Sequence, residues 1–318
     1  MTPPYPIYLV RSGPGDARPA QALETMGSKA KRWLRNARTG RLVMLKFARA
    51  GSGEDWSEKV AFEIGRRLGI PCPRIDLART ESQQGVLCWD FLRRRAFGTP
   101  EATHLSLIHG NELLLRSNAD YPSGRSYRVS KHTLHAVHEV LEGQAHLVRA
   151  DALGFTRFDA FGAFVGYLLL DALIGNTDRH HENWGLISSR HSKPARTWLA
   201  PSYDHASSLG RELNDDKRRQ RLDGSGRGTL QGYAEAARSA FWADSGSRQL
   251  GTLEALGLAG ERRPDALSTW LAQLETVPEE LLFRAVERVP ISRLSPLGKR
   301  FTCEILRYNR RRILSLPR

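Results

Sequence analysis

The 318-residue chain is poor in cysteine, in long apolar runs and in acid. Its three cysteines, Cys72, Cys88 and Cys303, form no spaced pair. That argues against a disulfide framework or a thiolate zinc site and fits a reducing compartment. The longest apolar stretches, such as AFVGYLLLDALIG, are too short for a bilayer and carry Asp171. The N-terminal MTPPYPIYLVRSGPGDARP lacks the basic-then-apolar export pattern, so a cytoplasmic location is expected, with a secreted effector as the other option. Internal repeats and low-complexity tracts are absent. Acid is short by a wide margin: 34 Asp and Glu stand against 48 Lys and Arg, a net charge of +14. Such a surplus attracts phosphorylated, nucleic or lipid-headed polyanions, or serves solubility alone. What is present in quantity is core material. Hydrophobic residues make up 40%, which excludes global disorder. The length suits one two-lobed domain or two domains.

The first ~95 residues read as strands around one helix. IYLV (7–10) is extended, and KRWLRN and RLVMLKF form a hairpin turning at Thr39-Gly40. WSEKVAFEIGRRLGI (56–70) has helical spacing, with Val60, Ile64 and Leu68 on one side and Gly69 and Pro71 as stops. RIDLA (74–78) and GVLCWDFL (85–92) are further extended pieces, and RRRAFGTPEA (93–102) is a connector. Beyond it the pattern turns mostly helical. Helices are expected at 131–142 and 156–174, the second nearly all apolar and so buried. A loop-rich stretch (175–229) carries short strands at 184–187 and 196–200, and helices are expected from there to the end. A small β-rich lobe (1–95) followed by a larger, mainly helical lobe (96–318) is the α+β organisation this implies.

The chemistry concentrates in GNTDRHHENWGLI (175–187) and LAPSYDHASSLG (199–210). Together they offer Asp178, Asn183 five residues later, and Asp204, each in loop-like sequence beside a short strand. Phosphoryl transfer uses such a set: one carboxylate receives the acceptor proton, while an amide oxygen and a second carboxylate hold Mg²⁺ against the nucleotide phosphates. Oxygen donors suit Mg²⁺. An isolated Asp-x4-Asn is common among turn formers, and the second Asp strengthens it. The first lobe supplies complementary parts in order. Lys46 ends the strand VMLK, as a phosphate-binding lysine does. Glu58 follows on the next helix, and its rival Glu63 lies about 140° round that helix. Gly27, Ser28 and Lys29 in MGSKAKRW could cover phosphates, although no G-x-G-x-x-G is present. Trp89 to Phe91 sits where an adenine-binding hinge is expected.

On these residues the sequence resembles the HipA-like kinases, bacterial Ser/Thr protein kinases best known as toxins of toxin–antitoxin systems. The resemblance runs through the Lys46 strand, SEKVAFEIGRRLGIP, LLLDALIGNTDRHHENWGL, LAPSYDHASSL and FTCEILRYNRRRIL. It implies a protein-kinase-like two-lobed fold, with ATP and Mg²⁺ as cofactors. By it Asp178 and His180 are catalytic, Asn183 and Asp204 are metal ligands, and Lys46, held by Glu58, binds phosphates. A protein substrate with a Ser or Thr acceptor, a cognate antitoxin, and autophosphorylation at Ser28 are further expectations. The chain starts almost directly with the small lobe, like compact members without the longer toxins' extra N-terminal segment. His-Arg-Asp, Asp-Phe-Gly and Ala-Pro-Glu are all missing. DRHHEN and DHA also fit a phosphoinositide or other small-molecule kinase, and a non-enzymatic, DNA-associated binding protein is a third option. No helix-turn-helix or zinc-finger pattern supports direct base reading.

Other features have plainer readings. His132, His135 and His138 drift off one helix face with no carboxylate or Cys beside them, so a metal site there is not favoured. His181 reads as structural. The mixed-charge segment 211–228 is a surface loop or a substrate dock, and the basic tail is a nucleic-acid or membrane surface or a capped, packed last helix.

Overall fold

The structure, a computed structural model, describes residues 2–11, 31–36, 39–92, 105–144, 158–189, 196–224 and 228–317. In the first lobe β1 (Ile7–Leu9), β2 (Lys31–Arg35), β3 (Leu42–Phe47), β4 (Ile75–Arg79) and β5 (Gln84–Trp89) form one sheet in the order β1-β4-β5-β3-β2. The β2–β3 hairpin turns at Thr39-Gly40, where Gly40 takes φ 67°, a left-handed position that favours glycine. Helix α1 (Glu54–Arg67) connects β3 to β4 and ends before Gly69, again left-handed at φ 73°. Val60, Ile64 and Leu68 are buried together with Ile75, Leu77, Val86 and Cys88 of the sheet.

Strand alternation decides which sheet residues can meet the site. Met44 pairs with Cys88 and Lys46 with Val86, on the face that packs against α1. Val43, Leu45, Leu87 and Trp89 belong to a separate cluster on the opposite face.

The second lobe begins with β6 (Leu105–His109) and α2 (Gly110–Ser117), then α3 (Leu134–Gln144) and α4 (Ala160–Ile174). β7 (Gly185–Ser189) and β8 (Arg196–Leu199) join β6 in a three-stranded antiparallel sheet ordered β6-β7-β8. After these come α5 (Asp215–Leu222), α6 (Leu230–Glu235), the hairpin β9 (Arg238–Trp242) and β10 (Gln249–Gly251), then α7 (Thr252–Arg262), α8 (Pro264–Thr276), α9 (Glu279–Glu287) and α10 (Pro296–Leu314). Every residue of α4 is buried, with α1, α3, α7, α8 and α10 packed around it. Each Leu, Val or Phe so buried stabilises by about 1.5–3 kcal/mol. Asp159 caps its start by accepting from Gly162 N at 2.7 Å, and Gly175, left-handed at φ 65°, stops it.

The α+β, two-lobed architecture is the one expected, with three local corrections. A strand, β6, stands at 105–109 ahead of α2, where the pattern reads as mostly helical. The LSLIH strand is too short to announce itself and is secured by long-range pairing with β7. Helix α5 lies within the stretch read as a loop; DDKRRQRL has no apolar period, and its start is fixed by the Asn214 side chain accepting from Lys217 N at 3.0 Å. The hairpin β9–β10 interrupts the helices expected to run to the end. The connector at 93–102 and the expected lobe boundary lie outside the described residues. Among those described, no helix is long and apolar enough to cross a membrane.

Candidate active site

The loop from Gly175 to Trp184 joins α4 to β7, and a second loop, 200–211, follows β8. A fully buried guanidinium holds the two together. Arg179 makes paired 2.7 Å bonds to the Asp171 carboxylate, and donates to the Asn183 carbonyl at 2.8 Å, to Ser202 Oγ at 2.8 Å and to the Tyr203 carbonyl at 3.3 Å. Losing one partner of such a buried pair costs about 3–5 kcal/mol. His205 shares a 2.7 Å hydrogen bond with Ser202 Oγ. Burial, then the Arg179 charge, holds His205 well below the usual histidine value, so it is neutral.

On this frame the expected polar side chains converge. Asn183 Nδ2 donates to the Asp178 carbonyl at 2.7 Å, which commits the amide nitrogen and leaves Oδ1 as the ligand-capable atom. Asp178 N donates to Asn176 Oδ1 at 3.2 Å, and Ser207 Oγ donates to Asp178 Oδ2 at 3.4 Å. His180 Nδ1 accepts from Glu182 N at 3.2 Å, and its Nε2 lies 3.9 Å from Asp178 Oδ1. Asp204 holds φ 60°, a left-handed conformation Asp tolerates better than most side chains. Asp178 and Asp204 keep 24% and 31% of their side-chain surface open, in contrast to the sealed Arg179.

Lys46 reaches from β3 to within 3.7 Å of Asp204 Oδ1. Glu58 is buried on α1. Burial pushes the Cys88 thiol up to about 12; the Lys46 charge opposes this, and the Glu58 and Asp204 charges add to it. Glu63 is occupied elsewhere: its carboxylate takes Lys59 Nζ at 2.8 Å and Arg67 Nη1 at 3.1 Å. The start of α1 is clasped to the second loop. Gly53 N donates to the Arg211 carbonyl at 3.1 Å, Ser57 Oγ donates to the Ala206 carbonyl at 2.7 Å, and Glu54 pairs with Arg211 at 3.2 Å. Asp55 pairs with Arg293 in the interior.

The expected aromatic wall needs correcting at Trp89. Its ring lies on the sheet face away from Lys46, flanked by Arg41 and Arg74 at 5.2 Å each, with Nε1 donating to Asp76 Oδ2 at 2.8 Å. Alternation turns it there because its register partner is Val43, not Met44. Phe91 stacks on Tyr203, next to Asp204, at 5.9 Å. Gly27, Ser28 and Lys29 lie outside the described residues.

His132, His135 and His138 do not converge on one point. His132 stacks on Phe241 at 4.3 Å and accepts from Trp184 Nε1 at 3.2 Å, while His135 and His138 pair with Glu139 and Glu142 one turn on. His181 bonds the Tyr121 hydroxyl at 2.7 Å, and burial, then the His180 charge, lowers its pKa to about 4. The basic tail is partly absorbed by packing: Arg307 meets Glu279 and Glu304, Arg310 donates to the Leu274 carbonyl at 3.3 Å, and Lys299 to the Glu287 carbonyl at 2.7 Å.

Sequence reasoning passed over Asp171, Arg179, Ser207 and Tyr127. Asp171 carried a usable signal, since one carboxylate in an otherwise apolar helix requires a buried partner. Tyr127 carried none; only folding brings its ring to 5.2 Å from that of His180.

A small sheet with one helix on its face, set against a helical lobe whose loops carry the polar cluster, is a kinase-like fold. The HipA-like C-terminal domain model matches residues 22–243, and the chain belongs to that family. Among solved structures it is similar to the Helicobacter pylori proinflammatory kinase CtkA, with a TM-score of 0.68 and 20% identity over 91% of this chain and 90% of that one. It is also similar to Shewanella oneidensis HipA, solved with HipB and operator DNA, with a TM-score of 0.51 and 13% identity over 94% of this chain and 65% of that one. No curated protein matches the chain.

Proposed function

We propose that the chain is a HipA-like protein kinase that transfers the γ-phosphoryl group of ATP to a protein Ser or Thr hydroxyl. One observation carries this reading: Lys46, from the sheet, lies 3.7 Å from Asp204, in the loop bonded to Asp178 through Ser207. Family membership supports it. The donor chemistry fits the cofactor, since Asn183 and Asp204 offer the hard oxygens that suit Mg²⁺, in a partly open site. Bound there, Mg-ATP supplies the phosphoryl group and neutralises its charge.

The chain's own groups then have distinct tasks. Asp178 orients the acceptor hydroxyl and takes its proton, with His180 beside it. Lys46 binds phosphate oxygens and Glu58 keeps it aligned. Gly27, Ser28 and Lys29 cover the phosphates, and Phe91 with the main chain at 89–91 seats the base. The sheet region (1–95) serves the nucleotide and the helical region (96–318) the acceptor. By analogy with the HipA–HipB complex, a toxin role under a cognate antitoxin is proposed, with Ser28 as an autophosphorylation site.

The test is labelled ATP with a cell lysate and lipid vesicles, wild type beside Asp178→Asn. Phosphoserine or phosphothreonine in protein should appear with wild type and fall by about 10²–10⁴-fold in the variant, the contribution of a general base. Label confined to lipid would favour a phosphoinositide kinase, and equal labelling by both proteins would remove the enzyme reading.

A further inference from the structure

Tyr127 belongs to no core cluster and is 60% exposed, yet it sits at the transfer site. The loop that carries it, between α2 and α3, is anchored on both sides. The Tyr121 hydroxyl bonds His181 Nδ1 at 2.7 Å, Asn111 Nδ2 donates to the Ser123 carbonyl at 3.2 Å, and Lys131 Nζ donates to the Asp120 carbonyl at 3.0 Å. The next residue, Arg128, holds φ 55°, an unusual left-handed turn for a long side chain, and returns the chain to buried Val129. The Tyr127 ring therefore stands out from a fixed loop and rests edge-on against His180, with centroids 5.2 Å apart. Tyr8, Leu9, Leu115 and Ile291 are the other exposed large hydrophobics among the described residues.

We propose that Tyr127 is a specificity-determining residue, the acceptor-side wall against which an extended peptide bearing the target Ser or Thr lies beside Asp178. This rests on the kinase reading above. The site has two flanks. Lys46 and Asp204 form the nucleotide side, while His180 and Tyr127 form the side from which a hydroxyl can approach Asp178 Oδ1. A rigid aromatic with a polar tip, standing in solvent on a fixed base, is the form of an interface anchor. Partial burial, then the charges of Asp178 and Asp204, raise the phenol's pKa, so it stays a donor suited to a main-chain carbonyl of the peptide.

The experiment compares wild type, Tyr127→Ala, Tyr127→Phe and Asp178→Asn on a peptide spanning the phosphosite found in lysate, varying peptide and ATP separately. Tyr127→Ala should raise the peptide KM about 30-fold, the loss of an aromatic anchor, with the ATP KM unmoved. Tyr127→Phe, which keeps the ring, should lose only about 2- to 12-fold, the worth of one hydrogen bond. A peptide KM unchanged in Tyr127→Ala, or an ATP KM rising alongside it, overturns the inference while leaving the kinase intact. A wild type no more active than Asp178→Asn removes the kinase reading and this inference with it.

Discussion

Two ion pairs lie within one loop's reach of each other and differ in almost every respect. Asp171–Arg179 is sealed, bonded twice at 2.7 Å, and its guanidinium reaches three further acceptors. Lys46–Asp204 is looser at 3.7 Å and partly open to solvent. A pair whose hydrogen-bonding capacity is spent internally builds structure. A pair with open surface retains capacity for a ligand. The contrast separates scaffold from working groups without reference to any relative.

The sharpest way to break that contrast is Arg179→Met, which leaves the buried Asp171 carboxylate with the Asn176 amide at 2.8 Å but without its counter-charge. A loss of about 3–5 kcal/mol in unfolding free energy is expected, read from denaturant midpoints. Asp171→Leu combined with Arg179→Met should regain part of that stability but not the activity, because the Asn183 and Ser202 contacts stay lost. A single variant within experimental error of wild type would show that the sealed pair is not a scaffold. Lys46→Met tests the open pair. It should weaken nucleotide binding by about 1.5–3 kcal/mol, the scale of a charged hydrogen bond, with the thermal midpoint nearly unchanged. A midpoint drop comparable to that of Arg179→Met would erase the distinction. The smallest effect is in pH. His181 stays neutral when folded down to about 4, whereas an unfolded histidine protonates near 6.5. The stability tied to its neutrality is therefore complete above 6.5 and is lost as pH falls toward 4, at no more than about 1.4 kcal/mol per unit. Urea midpoints measured at pH 7 and pH 5, wild type against His181→Gln, should show a shallower slope in the variant.

How much of this was legible in the sequence depended on whether the signal was local. The Lys46 strand, the α1 period of Val60, Ile64 and Leu68, and the glycine stop at Gly69 are written in neighbouring residues. The spacing of Asp178, Asn183 and Asp204 is read directly from the chain, and the kinase proposal builds on it. The direction of Trp89 was not legible, because a strand residue's face depends on the partner it meets in register, and Val43 lies 46 positions away. Helix α5 was hidden because its polar sequence has no stripe to read, and β6 because its stability comes from a strand eighty residues downstream. Tyr127 was hidden for the same reason: nothing nearby in sequence indicates what its loop will overhang.

The clasp at the start of α1 has an entropic consequence. Gly53, Glu54 and Ser57 bind the loop that carries Asp204, and the same helix carries Glu58. Glu58 and Asp204, which the proposed kinase function assigns to the phosphate side and to the metal, are therefore ordered relative to each other when the chain folds. Under that proposal, a nucleotide entering this site need not spend its binding energy on drawing the two lobes into register, and that energy remains for holding the phosphates in line with the acceptor.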